Sequence, residues 1–165
     1  MPYDSGLVFC RHAAALRGAM TVTAAYLPAG TQREPCHYVP ELSRRARGID
    51  VWTALATLGR DGLAAMIERT CRHARRFADG LAAAGHEVLN EVELNQVLVA
   101  FGTPEETRRV IEGIQADGTC WCGGTEWQGR TAMRISVSSW ATTEADVDIS
   151  LAAMLRVARG VRDGG

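Results

Sequence analysis

One long amphipathic segment constrains the fold of this chain more than any other feature. Between Asp61 and Ala84, mostly apolar residues recur with the spacing of one helix face, and the arginines occupy other positions. Gly85 follows directly, and glycine is the residue that most often ends a helix. The face comprises Leu63, Met66, Ile67, Thr70, Ala74, Phe77, Ala78 and Leu81. Because such a helix must bury one side, the rest of the sequence has to supply a second layer.

The sequence after Gly85 supplies that layer as strands and shorter helices. Thr103, Pro104 and Glu106 form a capping-box pattern that predicts a helix start, and Gly118 predicts its end. The other predicted elements are strands at 86–90, 96–101 and 131–138, a glycine-interrupted turn or edge hairpin at 120–127, and a helix at 143–158. This order predicts an α+β fold, in which helices cover one face of an antiparallel sheet.

The N-terminal part is less regular. Residues 6–10 read as a short buried strand and 12–20 as a short helix or turn, whereas 21–40 form a long proline-punctuated loop. Residues 41–58 read as a helix that Gly59 ends. Loops of such length are uncommon unless they are functional or disordered.

Composition excludes several classes of function. The chain has 165 residues, and its 18 basic residues are all arginine against 19 acidic ones, so no strong field points to nucleic acid. A helix that spans a membrane needs about 20 apolar residues, and no stretch of this sequence is that long. No signal peptide is recognisable either. The sequence therefore predicts a cytoplasmic protein without a membrane partner. Because lysine is absent, no side chain can form a Schiff base.

Strand 131–138 offers the first candidate for a binding residue. Alternation puts Met133 and Ile135 on one face and Arg134 on the other, away from the helices. An arginine in that position can hold a carboxylate through two parallel hydrogen bonds. An ordinary surface ion pair is the competing interpretation.

Two further candidates come from a loop and a cysteine pair. Tyr26 lies in the long loop, where a phenol on a mobile segment can donate a proton after the loop closes, or can simply anchor the loop. Cys120 and Cys122 could bind a soft metal or form a redox pair, but without further ligands they are interpreted as structural, and no metal site is predicted.

Five segments together resemble one family. They are residues 2–8 (PYDSGLV), 26–27 (YL), 41–52 (ELSRRARGIDVW), 58–62 (LGRDG) and 133–138 (MRISVS). In this order they are similar to the C-terminal part of the group II pyridoxal-phosphate-dependent amino-acid decarboxylases, which include aromatic amino acid, glutamate and diaminobutyrate decarboxylases.

The resemblance implies a fold and a division into domains. It implies that residues 41–165 form the small C-terminal domain of an aspartate-aminotransferase-like (fold type I) enzyme, and that 1–40 are a remnant of the large cofactor-binding domain with its mobile loop. It also implies pyridoxal phosphate as cofactor, an amino acid as substrate, and a homodimer or a complementing large-domain chain as partner.

The resemblance also implies roles for single residues. Tyr26 matches the loop tyrosine proposed to protonate the substrate carbon after carbon dioxide leaves, and Arg134 matches the arginine that contacts a substrate carboxylate. Pro2, Tyr3 and Asp4 would lie beside the family's cofactor lysine, which precedes this segment in relatives.

Three hypotheses follow for function. The first is the C-terminal part of an amino-acid carboxy-lyase that is inactive alone, because the Schiff-base lysine is absent. The second is a non-catalytic oligomerising or regulatory module that docks on a full-length decarboxylase. The third is a small metal or redox module built on Cys120 and Cys122.

Overall fold

The computed structural model describes residues 5–21, 32–41 and 43–164. Pro2, Tyr3, Asp4 and Tyr26 lie outside these ranges, so their predicted roles concern residues that the structure does not describe. The chain divides at Gly59 into two compact units, residues 1–59 and 60–165.

The first unit holds the N-terminal elements. Helix α1 covers Ala13–Met20, as predicted, and contacts a 3₁₀ helix at Pro35–Tyr38. The predicted buried strand at 6–10 is wrong, because these residues adopt no regular structure and Phe9 is 94% exposed. A strand needs a neighbour to satisfy its backbone groups, and no described residue pairs with this segment.

Helix α2 covers Arg47–Ala83 and is interrupted at Gly59, where φ is 62° and ψ is −172°. Side chains rarely tolerate such a conformation, so glycine is required there, close to where the sequence predicts a break. The helix begins at Arg47 rather than at residue 41. Its apolar spacing starts only at Ile49, so no burial requires the preceding residues to be helical.

The second unit contains a four-stranded antiparallel sheet. Its strands are β1 (Glu87–Val88), β2 (Gln96–Ala100), β3 (Gly123–Trp127) and β4 (Arg130–Ser136), in the spatial order β1-β2-β4-β3. Strand β1 is shorter than predicted. The Asn90 side chain accepts a hydrogen bond from the backbone N–H of Leu98 at 2.7 Å, which replaces a continuation of the backbone ladder.

Helices α3 (Pro104–Asp117) and α4 (Glu144–Asp163) complete this unit. The capping box at Thr103 is confirmed, since Thr103 N–H donates to the Glu106 carboxylate at 2.7 Å and Glu106 N–H donates back to the threonine hydroxyl at 3.2 Å. Helix α4 continues past Gly160, where the sequence predicts an end. Its last turn places Val161 against the core, and this packing favours the longer helix.

The core lies between one face of the sheet and helices α2, α3 and α4. Sheet residues on that face include Val97, Val99, Met133 and Ile135. The helices contribute residues such as Phe77, Leu81, Val110, Ile114, Val147 and Met154. The predicted α+β layer is therefore present.

Candidate functional site

The face of the sheet away from the three helices carries the candidate site. Along β4, Met133 and Ile135 are buried in the core, whereas Arg134 is exposed on the other side. The alternation of a strand alone produces this placement, because successive side chains point to opposite faces. The structure thus puts Arg134 where the sequence predicts it, and its role in substrate binding stays a prediction.

Glycine on the neighbouring strand leaves space beside Arg134. The arginine is in register with Leu98 on β2 and with Gly123 on β3. No atom lies within 4 Å of the position that a Cβ on Gly123 would occupy, apart from its chain neighbours. In the described part of the chain, the Arg134 guanidinium has no hydrogen-bond or ion-pair partner. Its fork of donors is therefore available to a ligand.

The middle of this face is occupied by Leu98, Ala100 and Ala132, which lie outside the core cluster. All three are buried, and Ala132 is fully buried, so they offer a ligand almost no surface. Arg134 is exposed on the same face, with the space at Gly123 beside its guanidinium.

A second arginine, Arg130, lies on the same face at the first residue of β4. Arg130 donates to both carboxylate oxygens of Glu87 at 2.7 and 2.6 Å, in a bidentate pair that connects β4 with β1. This hydrogen bonding lowers the pKa of Glu87 and raises the pKa of Arg130. Trp127 on β3 is in register with Arg130. Arg130 therefore has its charge satisfied within the chain.

The sequence did not reveal Gly123 or Glu87 as parts of this face. Glu87 and Arg130 are 43 positions apart, and only the strand order brings them together. The glycine pair at 123–124 was a visible signal, because glycine within a strand often marks a place where another molecule approaches the backbone.

The cysteine pair has the properties of packed thiols rather than reactive ones. Burial, and secondarily Cys120, raises the pKa of Cys122 to about 12, and burial also raises the pKa of Cys120. The Cys122 thiol contacts the Met133 sulfur at 3.0 Å inside the core. Thiolates are the nucleophiles and metal ligands of cysteine chemistry, so this environment disfavours the redox and metal hypothesis. Within the described ranges, no three potential ligands are grouped around a common point.

Comparison with known proteins decides the family. Residues 1–103 match the family model described as "Pyridoxal-dependent decarboxylase conserved domain". The chain belongs to the pyridoxal-dependent decarboxylases. This confirms the resemblance of the five sequence segments, and the cofactor of the family is pyridoxal phosphate.

Curated relatives of this decarboxylase family align along most of the chain. Histidine decarboxylase from Drosophila melanogaster is 26% identical over 151 residues, which are 88% of this chain and 18% of the relative. Aromatic-L-amino-acid decarboxylase from Drosophila simulans is 27% identical over 117 residues, 69% of this chain and 23% of the relative. The chain therefore spans only about a fifth of the length of these decarboxylases.

Solved decarboxylase structures share the fold. The crystal structure of Oryza sativa TDC with PLP and tryptamine has a TM-score of 0.78 at 18% identity, covering 87% of this chain and 33% of that chain. Mouse CSAD has a TM-score of 0.71 at 17% identity, covering 87% and 34%. No helix of the described residues has the length and apolar character needed to cross a bilayer.

The residues of this decarboxylase chain do not fit covalent attachment of pyridoxal phosphate. Attachment requires a lysine ε-amine, and the sequence has 18 arginines and no lysine. The guanidinium group of arginine stays protonated and cannot replace that amine. The chain itself offers an exposed arginine, Arg134, on the sheet face away from the helices.

Proposed function

We propose that this chain supplies the C-terminal part of a pyridoxal-phosphate-dependent amino-acid carboxy-lyase and has no decarboxylase activity by itself. The observation that carries the proposal is the free Arg134 guanidinium, beside the space at Gly123, in a chain that belongs to the decarboxylase family. Arg134 would bind the carboxylate of the amino-acid substrate, because an unpaired arginine with a neighbouring gap is suited to bidentate recognition.

We further assign the domains and the remaining residues by the same resemblance. Residues 41–165 would form the small domain of a fold type I enzyme, and 1–40 would belong to the large domain. Tyr26 would donate a proton to the substrate carbon from a mobile loop. Pro2, Tyr3 and Asp4 would lie near the cofactor lysine of the assembled enzyme. The chain's own contributions are then restricted to binding, orienting and protonating.

The assembled enzyme would be a cytoplasmic homodimer or a pair of complementing chains. All five cysteines are free, which supports a reducing compartment. The long stretches of sequence that relatives have, and that these residues do not cover, support the need for a large domain.

Decarboxylation assays test the proposal directly. The purified chain, a companion chain that carries the family's cofactor lysine, and their mixture would each be supplied with pyridoxal phosphate and a panel of carboxyl-labelled amino acids. We expect release of labelled carbon dioxide only from the mixture. Turnover by the 165-residue chain alone would contradict the proposal, since it has no lysine.

A second candidate is a non-catalytic module that docks on a full-length decarboxylase. Exposed apolar side chains in the first unit favour it, namely Leu7, Val8, Phe9, Ile49 and Trp52. Exposed apolar groups in such number are typical of an interaction surface. Sedimentation combined with activity assays discriminates the two candidates. The module should associate with a complete decarboxylase without changing its activity, whereas the carboxy-lyase part should restore activity to a large-domain chain.

A further inference from the structure

A groove lined by arginines lies between the second half of helix α2 and the start of helix α4. One concavity of about 420 Å³ is bounded by Arg69, Arg72 and Trp140. A second, of about 700 Å³, is bounded by Arg72, Arg75 and Asp148. Because Arg72 borders both, they form one continuous surface, which we call the arginine groove.

Helical spacing explains why the arginines share this surface. Arg69, Arg72 and Arg76 recur at intervals of three and four along α2, so they follow one side of the helix. The opposite side carries Phe77 and Leu81, which are buried in the core. Because Phe77 and Leu81 pack in the core, the arginines on the opposite side of α2 face away from it.

Two arginines of the groove have neither an ion-pair partner nor a side-chain hydrogen bond within the described residues. Arg76 donates to the Asp148 carboxylate at 2.6 Å, and Arg69 donates to the backbone carbonyl of Trp140 at 2.9 Å. Within residues 43–164, Arg72 and Arg75 form no ion pair and no side-chain hydrogen bond. The carboxylates of Asp79, Glu144 and Asp148 also border the groove, so the four arginines exceed its acidic residues by one.

An exposed tryptophan stands at one end of the groove on a fixed loop. The ring of Trp140 is 75% exposed, although two bonds hold its loop against α2. One is the Arg69 bond to the Trp140 carbonyl, and the other joins the buried His73 ring to the Thr142 carbonyl at 3.2 Å. An aromatic ring presented on a fixed backbone loses little entropy when it binds, which is the property of an interface anchor.

We propose that the arginine groove binds an acidic segment of a partner polypeptide. Carboxylates of the segment pair with Arg72 and Arg75, and an apolar side chain packs on Trp140. Charge complementarity selects this occupant, since the unpaired guanidinium groups need carboxylates, and arginine and tryptophan are the residues enriched at binding hot spots. Both concavities are shallow and open to solvent, which suits an extended segment better than a compact small molecule. This inference is independent of the proposed catalytic role.

Fluorescence anisotropy with a dye-labelled peptide of alternating glutamate and leucine tests this site. The intact chain has a net charge of −1, so general electrostatics does not attract an acidic peptide to it. We expect binding that weakens as salt is added. In the R72E/R75E variant the affinity should fall by about tenfold or more, because two attractive contacts become repulsive.

The matched control is R109E/R159E, which changes net charge equally at exposed arginines outside the groove. We expect this control to bind within about twofold of the wild type. The milder R72Q/R75Q variant replaces R72E/R75E if the latter is unfolded by circular dichroism, and Trp140→Ala should weaken binding without altering the salt dependence. Equal weakening in both arginine variants, equal binding of a serine-leucine peptide, or no binding to the wild type would each overturn the proposal.

Discussion

Arg130 and Arg134 lie on the same face of strand β4, on either side of the buried Ala132, but their surroundings differ. Arg130 is held by both oxygens of Glu87, and its neighbour on β3 is the large side chain of Trp127. Arg134 has no partner in the described part of the chain, and its neighbour on β3 is Gly123. The strand therefore uses one arginine to connect strands and leaves the other open to a ligand.

Arg130 and Arg134 differ because the residues next to them differ, not because of their own positions on the strand. Both side chains are exposed, and both belong to the same strand. A partner carboxylate within the chain satisfies one guanidinium, whereas the other stays ready for an external carboxylate.

Replacing Arg134 should have the largest effect. In the two-chain assembly, Arg134→Ala should lower kcat/KM by about 100-fold, because hydrogen bonds between charged groups contribute about 1.5–3 kcal/mol. The loss should appear mainly in KM if Arg134 binds the substrate carboxylate. Steady-state kinetics measures it, with Arg134→Lys as a conservative control that keeps the charge without the fork of donors.

The matched comparison is Arg130→Ala, which removes an arginine from the same strand. We expect its KM to stay near the wild-type value. If Arg130→Ala raised KM as much as Arg134→Ala does, the proposed difference between the two ends of the sheet would be wrong.

Filling the space at Gly123 should have the next largest effect. Gly123→Val introduces a branched side chain beside the guanidinium, where a Cβ meets no other atom, so the fold should be preserved. The substrate would lose room, and KM should rise by about tenfold, comparable with the cost of one methylene misfit in a binding pocket. Gly124→Val alters the strand by the same side chain on the face toward Ile111 and serves as the control.

The sequence predicts those parts of this account that depend on local spacing. Alternation along β4 is local, so it places Arg134 outward without any knowledge of the fold. The capping box at Thr103 is equally local. The strand predicted at 6–10 fails because a strand depends on a partner elsewhere, and apolar composition does not provide one.

The rest of the site depends on register between distant segments. Gly123 becomes a neighbour of Arg134 only after β3 and β4 pair, and Glu87 reaches Arg130 only because β2 lies between their strands. The spacing of the arginines on α2 is visible in the sequence, but their lack of partners is a property of the folded chain.

The ion pair between Arg130 and Glu87 should have a smaller effect, which appears in the stability of the fold at acidic pH. Its hydrogen bond lowers the folded-state pKa of Glu87 below the ordinary value of 4.5. The unfolded chain therefore binds a proton more readily, so the stabilisation by Glu87 is present above about pH 4.5 and is lost as the pH falls through the lowered folded-state pKa.

Glu87→Gln removes this titration. We expect the Tm of the variant to be slightly lower than that of the wild type at neutral pH and to fall less steeply below pH 4.5. Thermal unfolding followed by circular dichroism at a series of pH values measures both. Parallel Tm profiles for the two proteins would show that the pair does not stabilise the fold.

The difference between Arg134 and Arg130 is tested most directly by nuclear magnetic resonance of the arginine Nε–H groups during titration with an amino acid. The whole chain is used without a companion, and the two signals are assigned with Arg134→Ala and Arg130→Ala. We expect the Arg134 signal to shift with increasing ligand, while the Arg130 signal stays in place because Glu87 retains it. Equal shifts of both signals, or a shift of Arg130 alone, would contradict the account.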